Sequence, residues 1–132
     1  MEADKVIKIP ASLDDNFFKY WLQFLSPFHN LPPKVLFVGA AILKKRYELS
    51  KKIADDELVD KVLLSKDGGR ELREECGISL QHYHNVLCWL RKVKILIDDR
   101  VNPRFIPQIT GEKDNFKLLL LFDFYEGDKQ KE

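Results

Sequence analysis

The sequence predicts an α+β protein: a helical core followed by a β-hairpin, with an extra N-terminal helix and a long C-terminal strand. Three observations lead there. Apolar residues recur at helical spacing over most of residues 12–94. The stretch ELREECGISLQHYHNVLCWLRKVKIL, residues 71–96, has the layout of two helices joined by a Gly-Ile-Ser turn. The pattern then turns strand-like in ILI at 95–97 and alternates at period two in FKLLLLFDFY at 116–125.

Composition bounds the rest. With 132 residues, 45% of them hydrophobic, the chain can bury a core without disulfide or metal staples. Lys and Arg total 22 against 21 Asp and Glu, so attraction to nucleic acid or membrane must come from local patches. Cys76 and Cys88 form no CxxC pair, and with His29, His82 and His84 they match no zinc spacing. His82 and His84, two apart on one helix, point about 160° from each other. Two reduced cysteines, no metal and no cofactor are expected. MEADKVIKIP has acids among its first residues and does not read as a signal peptide. No apolar run approaches the roughly 20 residues that span a bilayer, so a cytoplasmic protein, or one packed into a virion, is expected.

Residues 1–31 read as an extension. Val6 to Pro10 is a short edge strand, and Ser12 or Asp14 caps a helix containing Phe17, Phe18, Trp21, Leu22 and Leu25. Ser26-Pro27 ends that helix, and Leu31-Pro32-Pro33 opens the next. Leu36, Ala40, Leu43 and Tyr47 then repeat at helical spacing, widened by Val35, Phe37, Val38 and Ile42, which marks a central helix. Its end is basic: Lys44, Lys45, Arg46, Lys51 and Lys52. That cluster suits a solvated helix C-terminus or a phosphate-contacting patch. A short helix over 55–64 turns Leu58, Val62 and Leu63 inward, and Ser65-Lys66-Asp67-Gly68-Gly69 makes a capping turn.

From Arg70 to Cys76 a short helix places Leu72 and Cys76 on one face. Gly77 ends it in a left-handed conformation, Ile78 fills the gap and Ser79 caps the next helix. Tyr83, Val86, Leu87, Leu90 and Val93 or Lys94 share the inner side of that helix. Gln81, Asn85, Cys88 and Lys92 share the outer side, with His84 on the flank. Gln and Asn can bind adenine edges in two-point fashion, and Gln81, His82 and Asn85 lie in the half of the helix where readers sit. Arg91, Lys92 and Lys94 follow, suited to phosphates or to the helix dipole. After them come a strand at 95–97, a turn at 98–100 and a second strand at 101–106.

On LREECGIS, YHNVLCWLRKVKIL and DDRVNPRFIP, residues 32–109 resemble the winged-helix (winged helix-turn-helix) family. The resemblance implies a DNA-binding protein in transcription or replication control, with helix 80–94 in the major groove and wing 95–106 beside the backbone. It assigns duplex contacts to Gln81, His82, His84, Asn85, Arg91 and Lys92 on the helix and to Arg100 and Arg104 on the wing. LREECGIS with VNPRFIP also looks like small proteins of tailed bacteriophages. Two departures stand out. Arg73 occupies the position where many family members have alanine at the helix crossing. Residues 66–104 carry six acids against eight bases, with Glu74, Glu75, Asp98 and Asp99 placed to oppose a phosphate backbone.

Residues 110–132 are read as a C-terminal strand and a short polar tail. Phe116, Leu118, Leu120, Phe122 and Phe124 fall on one strand face that has to pair, within the chain or with another copy. No glycine-rich phosphate loop, GxSxG or HExxH is present, so neither an enzyme nor a small-molecule substrate is expected. Two readings follow: a DNA-binding regulator, expected as a dimer, or a non-enzymatic assembly protein such as a phage virion subunit using its C-terminal strand.

Overall fold

The computed structural model describes residues 17–107, and within them the chain is α+β, with six helices and one two-stranded antiparallel sheet. The expected strand at 6–10, the caps Ser12 and Asp14, and the C-terminal strand with Phe116, Leu118, Leu120, Phe122 and Phe124 lie outside the described residues.

Helix α1 (Phe17–Phe24) buries Phe18, Trp21 and Leu22 against the central helix, as its spacing requires. The Trp21 indole N–H donates to the Phe105 carbonyl at 2.8 Å and ties the two ends of the described chain together. Helix α1 ends before Ser26-Pro27, as expected, but the chain does not go straight on to the next long helix. One more helical turn, α2 (Ser26–His29), forms because proline needs no N–H partner in a first turn. His29, which has no partner visible in the sequence, is buried inside this corner. Its Nδ1 accepts from the Leu31 N–H at 3.0 Å, so its Nε2 carries the proton and donates to the Leu22 carbonyl at 2.7 Å.

Helix α3 (Pro33–Ser50) is central and packs on α1 and on the next three long helices. Val35, Val38, Ile42 and Leu43 set its phase, which leaves Phe37 on the outer arc, 46% exposed with the Lys19 ammonium 5.0 Å from its ring centre. Helix α4 (Asp56–Leu63) starts at the Asp55 cap and buries Val59, Asp60 and Leu63. Leu58 and Val62, expected inward, are exposed. The reason is Arg46 of α3, which is itself buried and holds Asp60 at 2.9 Å. A phase with Leu58 and Val62 inside would turn Asp60 to water and leave a buried guanidinium without its anion.

Helix α5 (Lys66–Cys76) begins four residues before the expected Arg70. Ser65 Oγ accepts from the Gly68 N–H at 3.1 Å, so the two glycines lie inside the helix rather than in a turn. Packing explains them. A Cβ on Gly68 would overlap the carbonyl oxygens of Val62 and Leu63, and one on Gly69 would sit 3.1 Å from the Tyr83 ring. The tight approach between α5 and α6 (Leu80–Lys92) is therefore at Gly69, one turn before Arg73. Arg73 swings its guanidinium to 6.0 Å from the Tyr83 ring centre and does not obstruct the crossing.

The turn between these helices is as the sequence implies. Gly77 has φ 66°, the Ile78 N–H reaches back to the Arg73 carbonyl at 3.0 Å, and Ser79 accepts from the His82 N–H at 3.0 Å. Helix α6 ends the same way, but with a lysine in the left-handed position. Lys94 has φ 70°, and the Ile95 and Lys94 N–H groups bond the Leu90 and Arg91 carbonyls at 2.9 and 3.2 Å. A side chain there costs roughly 1–2 kcal/mol relative to glycine.

The hairpin is a stub. Strand β1 (Leu96–Ile97) pairs with β2 (Arg100–Val101), Leu96 opposite Val101, around Asp98 and Asp99 at φ 50° and 63°. Positive φ at both turn residues matches the twist of a two-residue hairpin, and Asp tolerates it. The expected strand at 101–106 stops after Val101. Asn102 accepts from the Arg104 N–H at 3.1 Å and caps a 3-10 turn, Pro103–Phe105, whose proline has no N–H for a ladder. Leu96 and Val101 close the core beneath Leu22, Ile42, Leu72 and Leu90, each nearly inaccessible to solvent and worth roughly 1.5–3 kcal/mol in burial.

Candidate functional site

Three inward residues, Tyr83, Val86 and Leu90, determine which face α6 shows to solvent. Gln81, His84, Asn85, Cys88, Arg91 and Lys92 are exposed, while His82 is half-buried on the flank. The Gln81 side-chain amide donates to Asn85 Oδ1 at 3.1 Å, one turn along. That bond leaves the Gln81 carbonyl oxygen as acceptor and the Asn85 amide as donor, side by side on the outer face. Six of the eight residues expected to meet DNA are thus on one helix.

The two hairpin arginines are separated. Arg100 lines a cleft of about 510 Å³ with Arg46, Asp55, Asp56, Glu57 and Asp60, an environment already rich in carboxylates. Arg104 lines a smaller notch of about 250 Å³ on another side, with Phe28, Val93 and Lys94. Asn102 holds that region together by donating from Nδ2 to the Lys94 carbonyl at 2.9 Å.

The basic end of α3 is neither a solvated helix end nor a phosphate patch over its inner half. Arg46 is 7% exposed and paired with Asp60, with Asp56 at 4.0 Å. Lys45 bonds Glu71 at 2.6 Å and lies 3.8 Å from Glu75. Burial works against the charge on Lys45, but the Glu71 bond and the charges of Glu75 and Glu48 outweigh it and raise its pKa. The same bond, with the Lys45 charge behind it, lowers the pKa of Glu71. Two acids of α5 are therefore answered from within the chain. Burial raises the Cys76 thiol and the Tyr83 phenol, so both are neutral at pH 7.

Two features escaped the sequence reading. Trp89 is 37% exposed on the flank of α6, with the Lys92 ammonium 5.3 Å from its ring centre. Phe28, at the α2 corner, is 70% exposed. For Trp89 the available signal was Lys92 three residues on, whereas Phe28 has no lysine or arginine neighbour in the sequence to mark it. Among the described residues no group of three or more His, Cys, Asp or Glu could hold a metal ion, and no helix is long and apolar enough to cross a membrane. Comparison of the chain with family models, curated proteins and solved structures finds no match.

Proposed function

We propose that this chain is a winged-helix protein that binds duplex DNA, with α6 in the major groove, in the control of transcription or replication. The observation that carries the reading is the outer face of α6. A hydrogen-bonded Gln81–Asn85 pair offers a donor and an acceptor to base edges, and Arg91 and Lys92 follow it toward the phosphates. Of the acids placed to oppose docking, Glu75 is turned toward Lys45, as is its neighbour Glu71, while Glu74, Asp98 and Asp99 stay exposed. The short hairpin offers little backbone contact of its own, so α6 and its C-terminal end carry the binding.

A gel-shift series on duplex DNA over a range of salt tests this. Affinity should fall with salt at a slope of about −0.9 per phosphate contact. Asn85→Ala should relax discrimination by about 1–3 kcal/mol at its base pair and leave non-specific binding in place. Failure to bind any duplex at low salt removes the proposal. The alternative, a virion or other assembly subunit, rests on residues 116–124, outside the described residues.

A further inference from the structure

We propose that the notch at the C-terminal end of α6 is a second nucleic-acid surface, one that takes a single strand of DNA by stacking its bases on Trp89 and Phe28. The inference borrows from the duplex reading only the class of polymer. Its own grounds are a different set of residues, with Lys92 shared.

The notch is floored by Leu25, Val93 and Phe105 and rimmed by Phe28, Lys94 and Arg104. Among the described residues no acidic side chain lines it, and Lys92, Lys94 and Arg104 make no ion pair. Trp89 precedes Val93 by one helical turn, so it stands on the same flank, and the Lys92 ammonium already lies over its ring. Two exposed aromatic rings and three cations without an ion pair, Lys92 already over the Trp89 ring, thus lie on this side of the chain. A base offers a π-face to an aromatic ring whatever its identity, while the phosphate between successive bases meets a cation. An apolar peptide would leave the cations unanswered, and a bare anion would leave the rings unused.

Backbone geometry supplies a second argument. The described non-glycine residues with positive φ are Asn30, Asp98, Asp99 and Lys94. Asn and Asp enter this region readily, but a lysine does so against its preference. Gly77 fills the equivalent position at the end of α5. The chain therefore keeps a long cation at the mouth of the notch where glycine would fit the backbone better, and Asn102 braces it through the Lys94 carbonyl. Strain at one exposed position is what a ligand contact explains.

The test is a titration of the full chain with oligo(dT), read by tryptophan fluorescence. Trp21 is buried with its N–H bonded to Phe105, so stacking should quench Trp89. The expected result is quenching that weakens with salt at a log–log slope of about −2, for three single-strand phosphate contacts. Lys94→Gly should weaken binding several-fold and reduce that slope by about 0.7, while the melting temperature stays or rises. Trp89→Ala, followed by anisotropy of labelled oligo(dT), should weaken binding by roughly 5- to 150-fold. The proposal fails if oligo(dT) produces no quench at low salt. It also fails if Lys94→Gly and Arg104→Ala leave affinity unchanged, or if polyglutamate quenches as strongly. Oligo(dT) quenching without any duplex shift would uphold this surface and remove the duplex reading. Duplex shift without quenching would do the reverse.

Discussion

Lys44-Lys45-Arg46 on α3 and Arg91-Lys92-Val93-Lys94 at the end of α6 are basic runs of similar make-up with opposite fates. The first turns inward: Arg46 is buried against Asp60, and Lys45 is engaged by Glu71 and Glu75. The second stays exposed, with no ion pair among the described residues. The difference lies in the neighbours. Helix α3 is central, so α4 and α5 bring their acids to it, whereas the notch at the end of α6 is lined by Leu25, Phe28, Asn102, Arg104 and Phe105, none of them acidic. A cationic run is a surface for a partner only where the chain does not supply the anions itself.

The sharpest way to break the comparison is at the buried pair. Asp60→Ala leaves Arg46 buried without its anion and should cost about 3–5 kcal/mol in urea denaturation. Replacing both residues, Arg46→Met with Asp60→Leu, should recover most of that loss. A cost below about 1 kcal/mol for Asp60→Ala would mean that Arg46 escapes to water, and the two clusters would no longer differ in kind. His29→Ala strands the Leu22 carbonyl and the Leu31 N–H beside α1 and should cost about 1–3 kcal/mol, read as a lower melting temperature.

Smaller effects separate the runs by readout. Arg91→Ala and Lys92→Ala should each change stability by no more than about 0.5 kcal/mol. On the duplex reading each should reduce the salt slope of DNA binding by about 0.9. Lys45→Ala should do the opposite, lowering stability while leaving the salt slope alone. The mildest test is pH. The folded pKa of Glu71 is lowered from 4.5, so its contribution is fully present above that value and is lost as pH falls through the lower folded one. The Lys45 pKa is raised from 10.5, so its contribution is present below 10.5 and lost as pH rises through the raised value. Glu71→Gln should therefore lower the urea midpoint at pH 7, with the gap to the parent chain narrowing as pH falls below 4.5.

The helix pair and its outer face were legible because their signals are local. Gly77, Ser79 and the spacing of Tyr83, Val86 and Leu90 settle where α6 starts and which side faces out, and Gln81 and Asn85 follow from that phase. The phase of α4 was not legible, because Leu58-Val59 and Val62-Leu63 offer two apolar pairs of equal merit. A residue fourteen positions upstream, Arg46, chooses between them. The hairpin arginines look alike in sequence but open onto different clefts, since the chain turns through the Asn102 cap between them. Sequence alone also left His29 without a role, because both its partners are backbone groups and leave no residue signature.

What the sequence by itself determined is the long helices, the Gly77 and Ser79 caps, the tight turn before α6 and the presence of a hairpin after it. Each depends on groups only a few residues apart, where propensity and a single hydrogen bond decide. What only the tertiary structure decided is the fate of the charges: which basic residues are answered within the chain and which remain for a partner. A charge–charge interaction depends on distance through space and on exclusion of water, and neither is written in the order of residues.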